Sequence, residues 1–166
     1  ATTESLTVGD VARHETFLGA VIDQTALRRL QRVMEEAKAS DTHQVLAGGS
    51  VDDRTGWFVR PTILQTTDPH AATLRDEFFG PLLTVYVYDD DWDHRALELV
   101  GSATDYALTL SIFARDQLAI AQALDRLRYA AGMTYINDKP TGALMGQVSF
   151  GGARASGTND KTGSRL

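Results

Sequence analysis

Hydrophobic and polar positions alternate along this chain with two periods, one helical and one extended. Phe17-Leu18-Gly19-Ala20-Val21-Ile22 is a short apolar run, expected to be buried. Asp23 then stands where a helix N-cap belongs, and Ala26, Leu27, Leu30, Val33, Met34 and Ala37 follow at helical spacing. Arg28, Arg29, Arg32, Glu35 and Glu36 fall between them, so a surface helix packed by one stripe is predicted. Gln44-Val45-Leu46-Ala47 before Gly48-Gly49 reads as a strand entering a tight turn. Residues 56–64 read as extended chain, and Pro61 suits an edge or a strand start because it has no N–H for a ladder. Residues 82–88 (LLTVYVY) give the clearest buried strand, rich in branched and aromatic side chains. Asp89-Asp90-Asp91 ends it and can cap a helix over residues 92–102. A strand over 108–114 leads to Asp116 as a cap and a helix over 117–130, with Leu118, Ala121, Leu124 and Leu127 on one face. Gly132-Met133-Thr134-Tyr135-Ile136-Asn137 forms the last strand.

Strands alternating with helices predict an α/β layer with a largely parallel sheet and flanking helices. No internal repeat or low-complexity tract interrupts the pattern, so residues 1–166 read as a single unit. Beyond the last strand the chain turns to glycine, serine and threonine for nearly thirty residues. A stretch of that kind is either a functional loop or a frayed terminus, and the pattern leaves both open.

Composition narrows the classes. With 166 residues and 43% hydrophobic content, the chain can bury a core of its own. Sixteen basic against twenty-two acidic residues leave a net charge of −6, which argues against a nucleic-acid surface. No apolar run reaches the length of a membrane span, and no signal-peptide pattern opens the chain. The polar start Ala1-Thr2-Thr3-Glu4-Ser5 has no initiator methionine, which fits a segment of something longer and equally fits methionine removal. There is no cysteine, hence no disulfide and no thiolate metal site. His14, His43, His70 and His94 are scattered without metal-ligand spacing, so surface or cap roles are expected of them and no metal site is. No serine-hydrolase elbow is present.

Two segments could carry chemistry. In Arg75-Asp76-Glu77-Phe78-Phe79-Gly80-Pro81 the Gly-Pro pair closes a turn before a strand, and locally Glu77 is an ordinary solvated acid. In Tyr135-Ile136-Asn137-Asp138-Lys139-Pro140-Thr141-Gly142-Ala143, running on to Phe150-Gly151-Gly152, a strand ends and a loop begins. Asn137 and Asp138 there are able to make side-chain turns.

Together with Gly151-Gly152-Ala153-Arg154-Ala155-Ser156-Gly157-Thr158-Asn159-Asp160, these segments resemble the back half of an aldehyde dehydrogenase catalytic domain. The Ala-Arg-Ala-Ser-Gly-Thr-Asn-Asp form resembles the branch that oxidises glutamate semialdehyde, the Δ1-pyrroline-5-carboxylate dehydrogenases. Gly19-Ala20-Val21-Ile22-Asp23, the Gly56–Ile63 stretch and Leu83-Thr84-Val85-Tyr86-Val87-Tyr88 agree, so the resemblance covers essentially the whole chain. It implies the C-terminal portion of that domain in proline catabolism, with NAD as cofactor. Glu77 would accept hydrogen bonds from the nicotinamide ribose hydroxyls, and Phe79 would pack against the nicotinamide ring. Gly142 and Ala143 would bind the substrate α-carboxylate through backbone amides, and Phe150 would wall the aliphatic part of the aldehyde.

By the same resemblance a cysteine thiolate adds to the aldehyde, hydride passes to NAD, and the thioester is hydrolysed to glutamate. No catalytic residue of that kind is in this chain, so the 166 residues alone are not expected to turn over. The implied partners are the small-molecule substrate, the remainder of the dehydrogenase chain and, in the full enzyme, further copies in a homo-oligomer. Neither nucleic acid nor membrane is among them. The implied location is cytoplasmic, or the mitochondrial matrix in a eukaryote.

The chain departs from the family pattern in several places. The nucleophilic cysteine and the G-x-G-x-x-G fingerprint are absent, Phe78 stands where a branched aliphatic is usual, and Val148-Ser149 replaces Gln-Pro before Phe150. The chain also stops at Leu166, before the segment that pairs across the subunit interface in such enzymes. A non-catalytic binding or interaction module derived from such an enzyme, or a dehydrogenase for another semialdehyde, are the alternatives.

Overall fold

The computed structural model describes residues 2–90, 92–144, 147–148 and 150–160. Asp91 of the acidic run, Ser149 of the Val148-Ser149 pair and the last six residues therefore lie outside the described residues. The chain gathers into two compact units, Ala1–Val87 and Tyr88–Leu166.

In the first unit the predicted helix is α1, Gln24–Ala39. Asp23 caps it, its Oδ1 accepting from the Ala26 N–H at 2.7 Å, a bond worth about 1 kcal/mol. Its buried residues are the six read from the spacing: Ala26, Leu27, Leu30, Val33, Met34 and Ala37. Leu27, Leu30 and Met34 meet Val59 in the core, with Val21, Val51, Phe78 and Leu82 packed around them. Strand β1 (His43–Ala47) turns at Gly48 and Gly49, both at positive φ. A short hairpin follows, β2 (Val51–Asp52) with β3 (Phe58–Val59). Pro61 immediately precedes β4 (Thr62–Thr66), the middle strand of a three-stranded sheet. Helix α2 (Ala72–Arg75) then leads to β5 (Leu82–Tyr86), which runs parallel to β4 while β1 runs antiparallel to it.

Two expectations of burial do not hold here. The strand at 82–86 forms, but it lies at the sheet edge, and Leu83, Val87 and Tyr88 are exposed. Side chains of a strand alternate between the two faces of its sheet, so one on a face that no layer covers is exposed whatever its hydrophobicity. The run at 17–22 is only partly covered: Phe17 is 67% and Ile22 87% exposed, whereas Val21 packs on the core, and main-chain hydrogen bonds tie the run to Thr7, Gly9 and Trp57.

The second unit opens with a π-helical turn, Trp92–Ala96, that continues into α3, Leu97–Ser102. Next come β6 (Tyr106–Ala107), β7 (Thr109–Ile112), α4 (Gln117–Arg126) and β8 (Met133–Ile136). β7 and β8 pair in parallel, Thr109 opposite Met133 through Ile112 opposite Ile136. Asp116 caps α4 as expected, accepting from the Leu118 N–H at 2.9 Å. The stripe that α4 buries differs from the expected one. Ile120 and Ala123 are buried in the helix and Leu127 just beyond it, whereas Leu118 is 74% exposed and Ala121 and Leu124 also face solvent. Both faces of this helix are apolar, and the one chosen meets Leu97, Leu110 and Ile112.

The Gly-rich tail is laced to this unit as far as it is described. β9 (Ala153–Arg154) pairs antiparallel with β6, the Ala107 N–H donates to Ser156 Oγ at 2.9 Å, and the Asn159 N–H donates to the Gly152 carbonyl at 2.7 Å. A frayed terminus is therefore not what residues 151–160 form. Backbone approach makes this possible: a Cβ on Gly132 would sit 1.8 Å from the Gly151 carbonyl oxygen and 2.8 Å from Gly152 Cα. Neither contact can yield by rotating a side chain. Gly132→Ala is accordingly expected to destabilise by about 2 kcal/mol or more, seen as a thermal midpoint several degrees lower. An unchanged midpoint would show that the tail does not rest on this contact.

Candidate functional site

In the first unit, the segment between α2 and β5 carries Glu77 and Phe79. α2 ends at Arg75, where the guanidinium reaches Asp76 at 2.7 Å and holds that carboxyl below its usual range by hydrogen bonding. Arg75 is thereby committed to Asp76. Glu77, next along, is exposed and has no hydrogen-bond or ion-pair partner among the described residues. The two phenylalanines that follow go opposite ways. Phe78 packs on the core beside Leu30, and its carbonyl accepts from Arg29 Nε at 3.2 Å. Phe79 is 80% exposed and its backbone takes φ +50°, a left-handed conformation that bulky residues rarely adopt. The segment thus presents, side by side, an unpaired carboxylate and an uncovered aromatic face. An acceptor-only carboxylate suits a pair of hydroxyls, and an aromatic face suits a flat cationic ring, so the residues present fit a nicotinamide riboside.

In the second unit, Gly142, Ala143 and Phe150 lie on the segment that leaves β8. Asn137 ends that strand at φ +50°. Its side chain does not make the local turn that the sequence suggests. Instead Oδ1 accepts from the Ala114 N–H at 2.9 Å and Nδ2 donates to the Ala114 carbonyl at 2.8 Å, twenty-three residues away. Further on, Ser111 Oγ donates to the Lys139 carbonyl at 3.2 Å, and the Thr109 and Thr141 hydroxyls meet at 3.3 Å. The Tyr135 hydroxyl donates to the Gly142 carbonyl. Gly142 takes φ +92°, with open space where a side chain would be. Ala143 and Phe150 are half-buried, and Val148 is 38% exposed. The arrangement offers main-chain N–H groups at a tethered glycine, the kind of donor that accepts a carboxylate at close range.

The five residues expected to form a site therefore fall two in one unit and three in the other. Asn137, Tyr135 and Ser111 were not among them. The Asn137 clamp and the two ties to the loop are tertiary contacts, and only the family-like spelling of residues 135–143 pointed toward that region.

Several other ionisable groups have structural partners. Asp52 is drawn down to about 2 by its hydrogen bonds with Arg54, and Arg128 pairs with Asp125 on the surface. His43 bridges Thr73 Oγ1 at 2.9 Å and the Ser40 and Thr42 hydroxyls. Among the described residues no group of three or more His, Asp or Glu side chains is placed to hold a metal ion, and no helix is long and apolar enough to cross a membrane.

The sequence pattern of the aldehyde dehydrogenase family matches residues 1–166. The mitochondrial Δ1-pyrroline-5-carboxylate dehydrogenase of Mus musculus is 48% identical over 157 residues, covering 94% of this chain and 28% of that protein. A probable Δ1-pyrroline-5-carboxylate dehydrogenase of Schizosaccharomyces pombe is 48% identical over 164 residues, 98% of this chain and 30% of that one. The crystal structure of the Mycobacterium tuberculosis Δ-pyrroline-5-carboxylate dehydrogenase bound with NAD superimposes with a TM-score of 0.86 at 45% identity, over 98% of this chain and 29% of the other. The chain thus spans less than a third of the length of these relatives.

Phe79 offers a direct check on the site geometry. A residue placed for packing would lose stability on truncation, whereas relief of the left-handed backbone in Phe79→Gly offsets about 1 kcal/mol of added chain entropy. The expected result is a thermal midpoint within about 2 °C of the parent protein. A much larger fall would mean that the Phe79 ring is part of the fold rather than displayed for a ligand.

Proposed function

The chain belongs to the aldehyde dehydrogenase family, and from that premise we propose that it is the nicotinamide-site and substrate-anchoring part of an NAD-dependent Δ1-pyrroline-5-carboxylate dehydrogenase. The reaction would oxidise glutamate semialdehyde, the open form of pyrroline-5-carboxylate, to glutamate. The observation that carries this reading is the pairing of Glu77 and Phe79: a carboxylate without a protein partner beside an aromatic ring held in the open by a strained backbone. The similarity of 45–48% to proteins named for this activity supports the same branch over other semialdehyde dehydrogenases.

Each residue has a part in this account. The Glu77 carboxylate accepts two hydroxyls of the nicotinamide ribose and so fixes the sugar. Phe79 covers one face of the nicotinamide and excludes water from it. NAD, when bound, supplies the hydride acceptor. Gly142 and Ala143 hold the α-carboxylate of the substrate by main-chain N–H groups, and Phe150 lies along its methylenes. The first unit is thus proposed to hold the nicotinamide riboside and the second the substrate carboxylate, and restricting each reactant's freedom lowers a barrier of this kind.

The nucleophile must come from residues outside these 166, since they hold no cysteine. The same remainder of the polypeptide is the partner proposed for the exposed apolar side chains of β5 and α4, and for the two-stranded parallel ladder β7–β8, an arrangement too small to stand alone. The parallel sheet read from the sequence would be completed there, as one catalytic domain. The full enzyme is proposed to act as a homo-oligomer, without nucleic acid or membrane as partner. The name of the Mus musculus relative places that protein in mitochondria, and a mitochondrial matrix or cytoplasmic site is proposed here.

Two measurements test this function. The purified 166 residues should form no NADH from pyrroline-5-carboxylate and NAD, while the full-length protein should form it readily. In the full-length protein, Glu77→Gln replaces one charged acceptor by a donor and should lower kcat/KM for NAD by about 10- to 100-fold with the aldehyde KM little changed. Activity in the isolated chain, or a Gln variant indistinguishable from the parent, would refute the assignment.

A further inference from the structure

The segment after β8 is folded back over one face of the β7–β8 ladder. Thr109 and Ser111 alternate onto that face of β7, and their register partners on β8 are Met133 and Tyr135, both buried. Tyr135 is 9% exposed, and a hydroxyl at that depth requires a partner. Its partner is the Gly142 carbonyl. Lys139 caps the ring, its ammonium 5.4 Å from the ring centroid, and so fixes the ring plane from which the hydroxyl points.

One consequence follows from peptide geometry. The Gly142 carbonyl and the Ala143 N–H belong to the same planar unit, and no cis peptide is present, so the two groups point in opposite directions. Turning the oxygen toward Tyr135 turns the Ala143 N–H away from the ladder. No group among the described residues accepts from that N–H. A Cβ built on the neighbouring Gly142 would meet nothing within 4 Å, so the space beside it is open. A hydrogen bond received at the carbonyl also polarises the amide and makes its N–H a better donor.

We propose that Tyr135 is a positioning residue for substrate: its hydroxyl aims the Ala143 amide outward, where it donates to the α-carboxylate of an amino-acid aldehyde. This rests on the substrate-anchoring role assigned above to Gly142 and Ala143. Tyr135 does not touch the substrate, and it sets specificity by holding one peptide plane. Thr109 and Ser111 tether the loop at other points and do not orient that plane.

The test is Tyr135→Phe in the full-length dehydrogenase, with glutamate semialdehyde and propanal as paired substrates. KM for the semialdehyde should rise about tenfold, as for loss of one hydrogen bond acting on a charged ligand, with kcat within about twofold. KM for propanal, which has no carboxylate, should not move. An unchanged semialdehyde KM, or an equal rise for both aldehydes, overturns the proposal, because a merely structural tyrosine would not discriminate between them. If the parent enzyme itself shows no preference for the semialdehyde over propanal, the anchoring role of Gly142 and Ala143 falls, and this inference with it. Where Tyr135→Phe does not fold, 3-fluorotyrosine at position 135 keeps the ring and hydroxyl while strengthening the donor. It should lower the semialdehyde KM, and an unchanged or raised value would overturn the proposal.

Discussion

A backbone that leaves a strand must have its polar groups answered, and the departure of residues 137–143 from β8 is where this chain meets that constraint most tightly. Two loop carbonyls are answered by side chains of the ladder the segment has left, Lys139 by Ser111 and Gly142 by Tyr135, while the Thr109–Thr141 hydroxyl contact and the Asn137 side chain on Ala114 add further ties. A loop held in this way is an extension of the sheet rather than a flexible excursion. The Ala143 N–H has no acceptor among the described residues, and that is what makes it usable by a ligand. The tail of the same unit obeys the constraint through backbone contact: Gly132 lets Gly151 approach, and β6 accepts β9.

The first unit solves a different problem. Two consecutive phenylalanines must be sent to opposite destinations, Phe78 into the core of α1 and Phe79 into solvent. Extended backbone alternates side chains, but here the alternation is achieved with a left-handed turn at Phe79, a conformation costing on the order of 1–2 kcal/mol. The packing of half-buried Phe78 on the cluster of Leu27, Leu30, Met34 and Val59 is of a size to offset that cost. Core packing on one residue therefore sustains strain at the next, and the strained residue is the one whose ring is displayed.

How much of this was legible in the sequence depends on whether the signal was local. The cap and stripe of α1 were fully legible, since an N-cap and a spacing of three and four residues are properties of the segment itself. The extended stretches read at 44–47, 56–64, 82–88 and 132–137 coincide in large part with the strands His43–Ala47, Thr62–Thr66, Leu82–Tyr86 and Met133–Ile136 for the same reason, although the break between Val59 and Thr62 was not legible. Burial was not: β5 and the run at 17–22 carry apolar residues that lie exposed, and α4 has two apolar faces between which periodicity cannot choose. The candidate site was legible only as a spelling shared with a family. Nothing local distinguishes Glu77 from any solvated acid, and its significance depends on Arg75 being taken by Asp76. Tyr135 and Asn137 were invisible as site residues because their partners, Gly142 and Ala114, are set by the fold.

These features point to a division of labour. The groups assigned to ligands here are an unpaired carboxylate, an exposed ring and two main-chain amides. The shifted acids that the structure shows, Asp52 and Asp76, belong to surface ion pairs with neighbouring arginines. On the proposed function such a segment binds and orients, and the nucleophile comes from elsewhere in the polypeptide. The absence of cysteine is then no defect in the account. Orientation demands rigid support more than reactive groups, and rigid support is what the loop tethers and the Phe78–Phe79 turn provide. On the proposed function, specificity rests also on residues such as Tyr135 that position the binding groups without contributing one. The bond-making chemistry can reside in another part of the polypeptide without constraining them.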